Sequence, residues 1–217
     1  MRIQEEFLSQ KQYSENLSHE LLTPLAIIRS KAELLMQSPQ LNEESMLNLD
    51  SIIQTAGRLT KVNQALILLS KIENNQFVDE ERIHLNDIIN ESLGNFEDQI
   101  RKKKLKVRMN LKESSELYSN LNLMRVLISN LIKNAVFHNV DGGSIQISLE
   151  EKTLIIVNSG IENKHSPEEF FKRFVSSQTS DNSVGLGLSI VKRICTLFSY
   201  SIMYETKEEM HTITLHL

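Results

Sequence analysis

Two apolar stripes occupy the first third of this chain, and they constrain its fold more than any other feature. In the first, Leu17, Leu21, Pro24, Ile28 and Leu35 fall at alternating three- and four-residue steps, with a gap at Lys31; Leu25 and Ala32 widen the stripe. In the second, Leu49, Ile52, Ala56, Leu59 and Leu66 repeat the pattern, with Asn63 as a polar interruption. Such spacing describes helices that must cover one face. Between them, Ser38-Pro39-Gln40-Leu41-Asn42 has turn chemistry, with proline to stop one helix and Asn42 to cap the next. A connection this short predicts an antiparallel hairpin. Two helices alone cannot bury stripes this long. A second copy of the hairpin solves the problem as a dimeric four-helix bundle; packing on the chain's own C-terminal part is the competing solution.

The remainder reads differently. The shift comes after Glu73-Asn74-Asn75-Gln76, which divides the chain into residues 1–75 and 76–217. Helices are expected over 85–103, 122–138 and 185–198. Strands are expected over 105–111, 144–149, 153–157, 200–204 and 211–217, and residues 160–184 read as a long loop. The class is therefore α+β, a helical hairpin followed by an α/β sandwich with helices on one face of a sheet.

Composition narrows the function. A net charge of -4 over 217 residues argues against bulk nucleic-acid binding. No run approaches the roughly 20 apolar residues of a membrane span. The single cysteine, Cys195, cannot form an internal disulfide, so a reducing compartment is the default. The basic run from Arg101 to Lys104, with Lys106 and Arg108, reads as a solvated helix end.

Four constellations could carry chemistry. Ser18-His19-Glu20-Leu21-Leu22-Thr23-Pro24 places a histidine off the apolar seam: with Leu17 at a d position, His19 is at f, and Thr23 follows one turn later on that outer face. Pro24 predicts a bend or a loosened turn just after Thr23. An exposed neutral imidazole is a nucleophile, and Glu20 can orient it or take its proton. Surface His-Glu pairs are common, so this pair carries little alone. Asn130, Asn134 and His138 are spaced by four on one helix face. Asparagine is a poor helix former, and its carbonyl oxygen suits Mg²⁺; a plain polar face is the alternative. Asn158-Ser159-Gly160 follows a strand, where a short amide beside a glycine can read a base edge or simply turn. Ser183-Val184-Gly185-Leu186-Gly187-Leu188 opens a helix, where glycines and free N–H groups favour phosphate, or close packing.

Taken in order, these segments resemble the transmitter core of bacterial two-component sensor histidine kinases. The segment from Ser18 to Leu25 resembles the phosphoacceptor H box and Asn130-Leu131-Ile132-Lys133-Asn134-Ala135 the N box. Asn158-Ser159-Gly160 stands where the G1 box belongs. Phe170-Phe171-Lys172-Arg173-Phe174 resembles the F box, and Gly185 to Lys192 the G2 box. The likeness runs from about Phe7 to Leu217. It implies a dimeric hairpin joined to an ATP-binding sandwich of GHKL type. His19 would be the phosphorylated residue, Glu20 its acid/base helper, and Thr23 the residue that helps place water for dephosphorylating a response regulator. ATP and Mg²⁺ are the implied cofactors. Asn134 would hold the metal with Asn130 in support, and Arg173 would reach the γ-phosphate. Gly185, Gly187 and Leu188 would lie by the phosphates, while His138, Asn158 and Gly160 complete the nucleotide set. The implied partners are a second copy and a response-regulator receiver domain. The implied setting is the cytoplasmic part of a membrane-anchored sensor whose upstream region is absent here.

The likeness has departures. Asn158 stands where aspartate is usual, Glu162 where a second G1 glycine is usual, Phe137 where a phosphate-contacting lysine is usual, and Leu22 where an H-box arginine is common. Besides an active kinase, two other readings stand. One is a degenerate transmitter acting as a phosphatase or docking scaffold. The other is a GHKL clamp ATPase, against which the H box argues.

Overall fold

The computed structural model describes residues 21–38, 40–77, 79–112, 116–161, 169–171 and 185–217. The chain forms two compact units, Met1–Asn74 and Asn75–Leu217.

The first unit is a helical hairpin. Helix α1 is described over residues 21–36 and runs without interruption through Pro24. Helix α2 spans Glu43–Glu73. Asn42 caps it as its chemistry requires, its Oδ1 accepting from the Ser45 N–H at 2.8 Å. The helix stops where Asn75 turns left-handed, at φ 50°. Ala32, Ala56 and Asn63 are buried. Leu21, Ile28 and Leu35 on α1, and Ile52, Leu59 and Leu66 on α2, are exposed. Each trio repeats every seven residues, so an open apolar column runs along both helices.

The second unit is built on a five-stranded mixed sheet. Its strands are β2 (Lys106–Leu111), β4 (Ser144–Glu150), β5 (Thr153–Ser159), β6 (Ser201–Lys207) and β7 (Met210–His216). They lie in the order β2-β4-β5-β7-β6. Among the described strands only β2 and β4 pair in parallel. The helix α5 (Leu121–Phe137) lies in the crossover that such a pair needs. Alternation decides which face is covered. Ile145, Ile147, Leu149, Leu154, Ile156, Ile213 and Leu215 are buried. So is the apolar face of α5, including Leu127, Ile128, Leu131 and Ile132. Helices α3 (Leu85–Gly94) and α6 (Gly187–Leu197) pack on α5.

Two expectations are corrected. The helix expected over 85–103 is two helices, α3 and α4 (Glu97–Lys102). Gly94-Asn95 is a stop signal, and Phe96 leaves the helical region to set its ring edge-on to Phe137, centroids 6.1 Å apart. A second, two-stranded sheet of β1 (Glu81–His84) and β3 (Glu116–Ser119) was not expected. Each strand has four residues, too few to show alternation.

The basic run is only partly a solvated end. Arg101 pairs with Glu97 one turn back at 2.8 Å, as α4 favours. Lys103 instead turns inward. Its Nζ donates to the carbonyls of Phe137 at 2.7 Å and Asn139 at 2.9 Å, closing the C-terminus of α5 with a cation.

Candidate functional site

Helix α5 carries the polar face that organises the site. Its apolar side is committed to the sheet, which leaves Asn130 and Asn134 half-buried on the other side, with His138 at the C-cap. Asn130 Nδ2 donates to the Val126 carbonyl at 2.8 Å. A carbonyl can only accept, so this bond fixes the amide and leaves Oδ1 turned away from the helix.

Glycines meet this face near both ends. A β-carbon at Gly187 would lie 2.7 Å from Asn130 Oδ1. A β-carbon at Gly160 would lie 3.3 Å from the His138 carbonyl oxygen and collide with the ring of His211. From Asn130 to His138 the helix rises about 12 Å. The end of β5 therefore adjoins the C-terminus of α5, and the turn into α6 adjoins Asn130. Gly185, at φ 69°, makes that turn in a conformation that disfavours a side chain. Leu188 is the second residue of α6.

Asn158 is buried at the end of β5. Its Nδ2 donates to the Ser159 carbonyl at 2.9 Å, which leaves Oδ1 as the acceptor end of the amide. Its partner across the ladder is His211. His211 Nε2 meets the Ile161 carbonyl at 3.1 Å, and its Nδ1 meets the Tyr204 hydroxyl. Burial holds the His211 pKa below the usual value, with the Ile161 bond acting in the other direction. His138 is also lowered, first by burial and then by the nearby Lys103, His211 and Lys133.

Neutral oxygen donors one turn apart on a helix fit Mg²⁺ that is shared with phosphates, because that ion keeps waters and needs few protein ligands. Among the described residues no cluster of His, Cys, Asp or Glu is set to hold a metal. The arrangement is an amide-lined helix face with a backbone turn at one end and an amide acceptor at the other. It suits a phosphate chain attached to a base.

Thr23 is exposed on α1, while His19, Glu20 and Arg173 lie outside the described residues. Sequence reasoning missed His211 and Lys103. His211 looked like one more residue in an alternating strand, and Lys103 was one cation within a run.

Residues 9–75 match the His Kinase A (phospho-acceptor) domain family. Residues 119–217 match the histidine kinase-, DNA gyrase B- and HSP90-like ATPase family. The chain belongs to the two-component sensor histidine kinases and forms their transmitter core. Among relatives, it is 29% identical over 206 residues to the heme sensor protein HssS of Staphylococcus saprophyticus, covering 92% of this chain and 44% of that protein. It is 28% identical over 220 residues to the sensor protein CutS of Streptomyces coelicolor, covering 95% and 52%. The chain thus spans about half the length of these relatives. The fold is that of ShkA, crystallised full-length with AMPPNP, at a TM-score of 0.73 and 14% identity over 94% of this chain and 45% of that one. The Acinetobacter baumannii histidine kinase AdeS matches at 0.62 and 23% identity, covering 92% and 96%. Among the described residues no helix is long and apolar enough to cross a membrane.

Proposed function

We propose that this core uses ATP to phosphorylate His19 and passes the phosphoryl group to an aspartate of a response-regulator receiver domain. The observation that carries the reading is the α5 face, met by Gly187 at Asn130 and by Gly160 at His138. Asn158 Oδ1 accepts from the exocyclic amino group of adenine, a role its fixed amide permits without a negative charge. Gly185, Gly187 and Leu188 take the phosphates at the start of α6, and Arg173 reaches the terminal one. Asn134, with Asn130 in support, would hold Mg²⁺, and that ion would supply charge neutralisation to the phosphates.

At His19 a ring nitrogen attacks the γ-phosphorus. The N–P bond forms as the bond to the bridging oxygen breaks, ADP leaves, and Glu20 accepts the ring proton. Thr23, exposed on α1, helps place water for the reverse task of clearing the regulator's phosphoryl group. The core works as a dimer through its open heptad columns, on the cytoplasmic side of a membrane-anchored sensor. Incubation with γ-labelled ATP is expected to mark the wild type and to leave His19→Ala blank. Equal label on both would overturn the assignment.

A second reading has one observation in its favour. Phe137 is engaged with Phe96, so this position supplies no cation to the phosphates. Receiver binding and dephosphorylation without any label on His19 would make the core a phosphatase or scaffold.

A further inference from the structure

His211 stands where four parts of the ATPase unit meet. Across the ladder it faces Asn158, which the proposed function makes the base-reading residue, so a role for His211 at the nucleotide rests on that reading. Its ring fills the space over Gly160, where any β-carbon would collide with it. Its Nε2 meets the carbonyl of Ile161, the first residue beyond Gly160, at 3.1 Å. Its Nδ1 meets the hydroxyl of Tyr204 on β6. The Tyr204 ring in turn packs on Phe170, with centroids 4.5 Å apart.

The bonding assigns the tautomer. A carbonyl only accepts, so Nε2 carries the hydrogen and donates to Ile161. Nδ1 is then bare and accepts from the Tyr204 hydroxyl. Both ring nitrogens are used, and the ring is buried. A histidine serving only as core filler needs its two bonds satisfied anywhere. This one spends one of them on the backbone that continues from the base-reading strand, and the other on the tyrosine that backs Phe170. The Gly160 N–H is separately held by the Glu209 carbonyl at 2.8 Å, in the turn just before His211.

We propose that His211 is a positioning residue for the nucleotide site: it pins the Gly160–Ile161 backbone against strand β7 and so sets where Asn158 presents its acceptor. It touches no reacting atom, and its effect falls on binding rather than on the chemical step.

The test uses the full chain with three variants, ADP as the probe, and amide exchange as a second readout. His211→Gln keeps an N–H donor at the reach of Nε2. His211→Leu keeps bulk and removes both bonds. Tyr204→Phe removes one hydroxyl. His211→Leu is expected to weaken ADP binding about tenfold and to speed exchange at Gly160 and Ile161. His211→Gln is expected to stay within about threefold of wild type, and Tyr204→Phe to lose about threefold. In autophosphorylation the loss should appear in the KM for ATP with kcat held. Leucine and glutamine variants that weaken binding equally, or a leucine variant that binds like wild type, would overturn the role. If His211→Leu does not fold, a Tyr204→Phe variant with wild-type affinity would overturn it. If the wild type binds no ADP, the nucleotide reading fails. The exchange data then decide the pinning, and unchanged rates at Gly160 and Ile161 in the leucine variant would refute it.

Discussion

Gly187 faces Asn130 with no room for a side chain: the place a β-carbon would take at 187 lies 2.7 Å from the Asn130 side-chain oxygen. Asn130 cannot simply turn aside, because its Nδ2 is bound to the Val126 carbonyl at 2.8 Å. Gly187→Ala must break that bond or push α6 away from α5. We expect a loss of about 1–3 kcal/mol in urea denaturation. On the proposed nucleotide reading ADP affinity should fall with it in calorimetry, since the turn into α6 and the amide face shift together.

The exposed columns on the hairpin predict a dimer that one charge disrupts. Leu59 is 49% exposed and lies midway between Ile52 and Leu66 in its heptad column. Burying a leucine stabilises by about 1.5–3 kcal/mol, and two-fold symmetry counts it twice. Leu59→Lys should raise the dimer dissociation constant by about a hundredfold or more in sedimentation equilibrium, with helix content retained in circular dichroism.

Two lowered histidines predict a stability loss on the acid side. His138 and His211 are both held below the ordinary value of 6.5, chiefly by burial. Below pH 6.5 the unfolded chain takes up protons that the folded chain refuses, so stability falls as pH drops through that range and is fully present above it. The urea midpoint should therefore be lower at pH 5.5 than at pH 7.5 by a margin that His211→Gln reduces, as about pH 6.5 lies between the two conditions.

Cys195 should resist alkylation. Burial pushes its thiol up to about 12, so almost no thiolate exists at neutral pH. Iodoacetamide followed by mass spectrometry should show no label in the native protein and full label in denaturant.

The β6–β7 turn stores strain that glycine can release. Glu208 and Glu209 both have positive φ, at 51° and 61°, in a two-residue hairpin loop where asparagine and glycine are the usual choices. Glu209→Gly should stabilise by about 0.5–1 kcal/mol, read as a higher melting temperature. The Glu209 carbonyl that receives the Gly160 N–H is backbone and survives the change.

Much of this architecture was legible because it is periodic or is marked by local chemistry. Steps of three and four residues placed α1, α2 and α5, and alternation placed β4 and β7. Asn42 announced its own cap, and the two asparagines on α5 announced a polar face. The break between α3 and α4 was written as Gly94-Asn95, yet the apolar pattern on either side hid it. Lys103 lay in a basic run that resembled any solvated helix end, and only the nearby C-terminus of α5 gives it a different task.

By itself the sequence determined the class of each segment and the kinds of side chain on each face, since these follow from repeats a few residues long. Tertiary structure alone decided that β1 pairs with β3 and that Gly187 abuts Asn130. It also decided that His211 bonds Ile161 and Tyr204. Most of those relationships join groups far apart in the chain, and each is settled by hydrogen bonds and steric exclusion that no local period encodes.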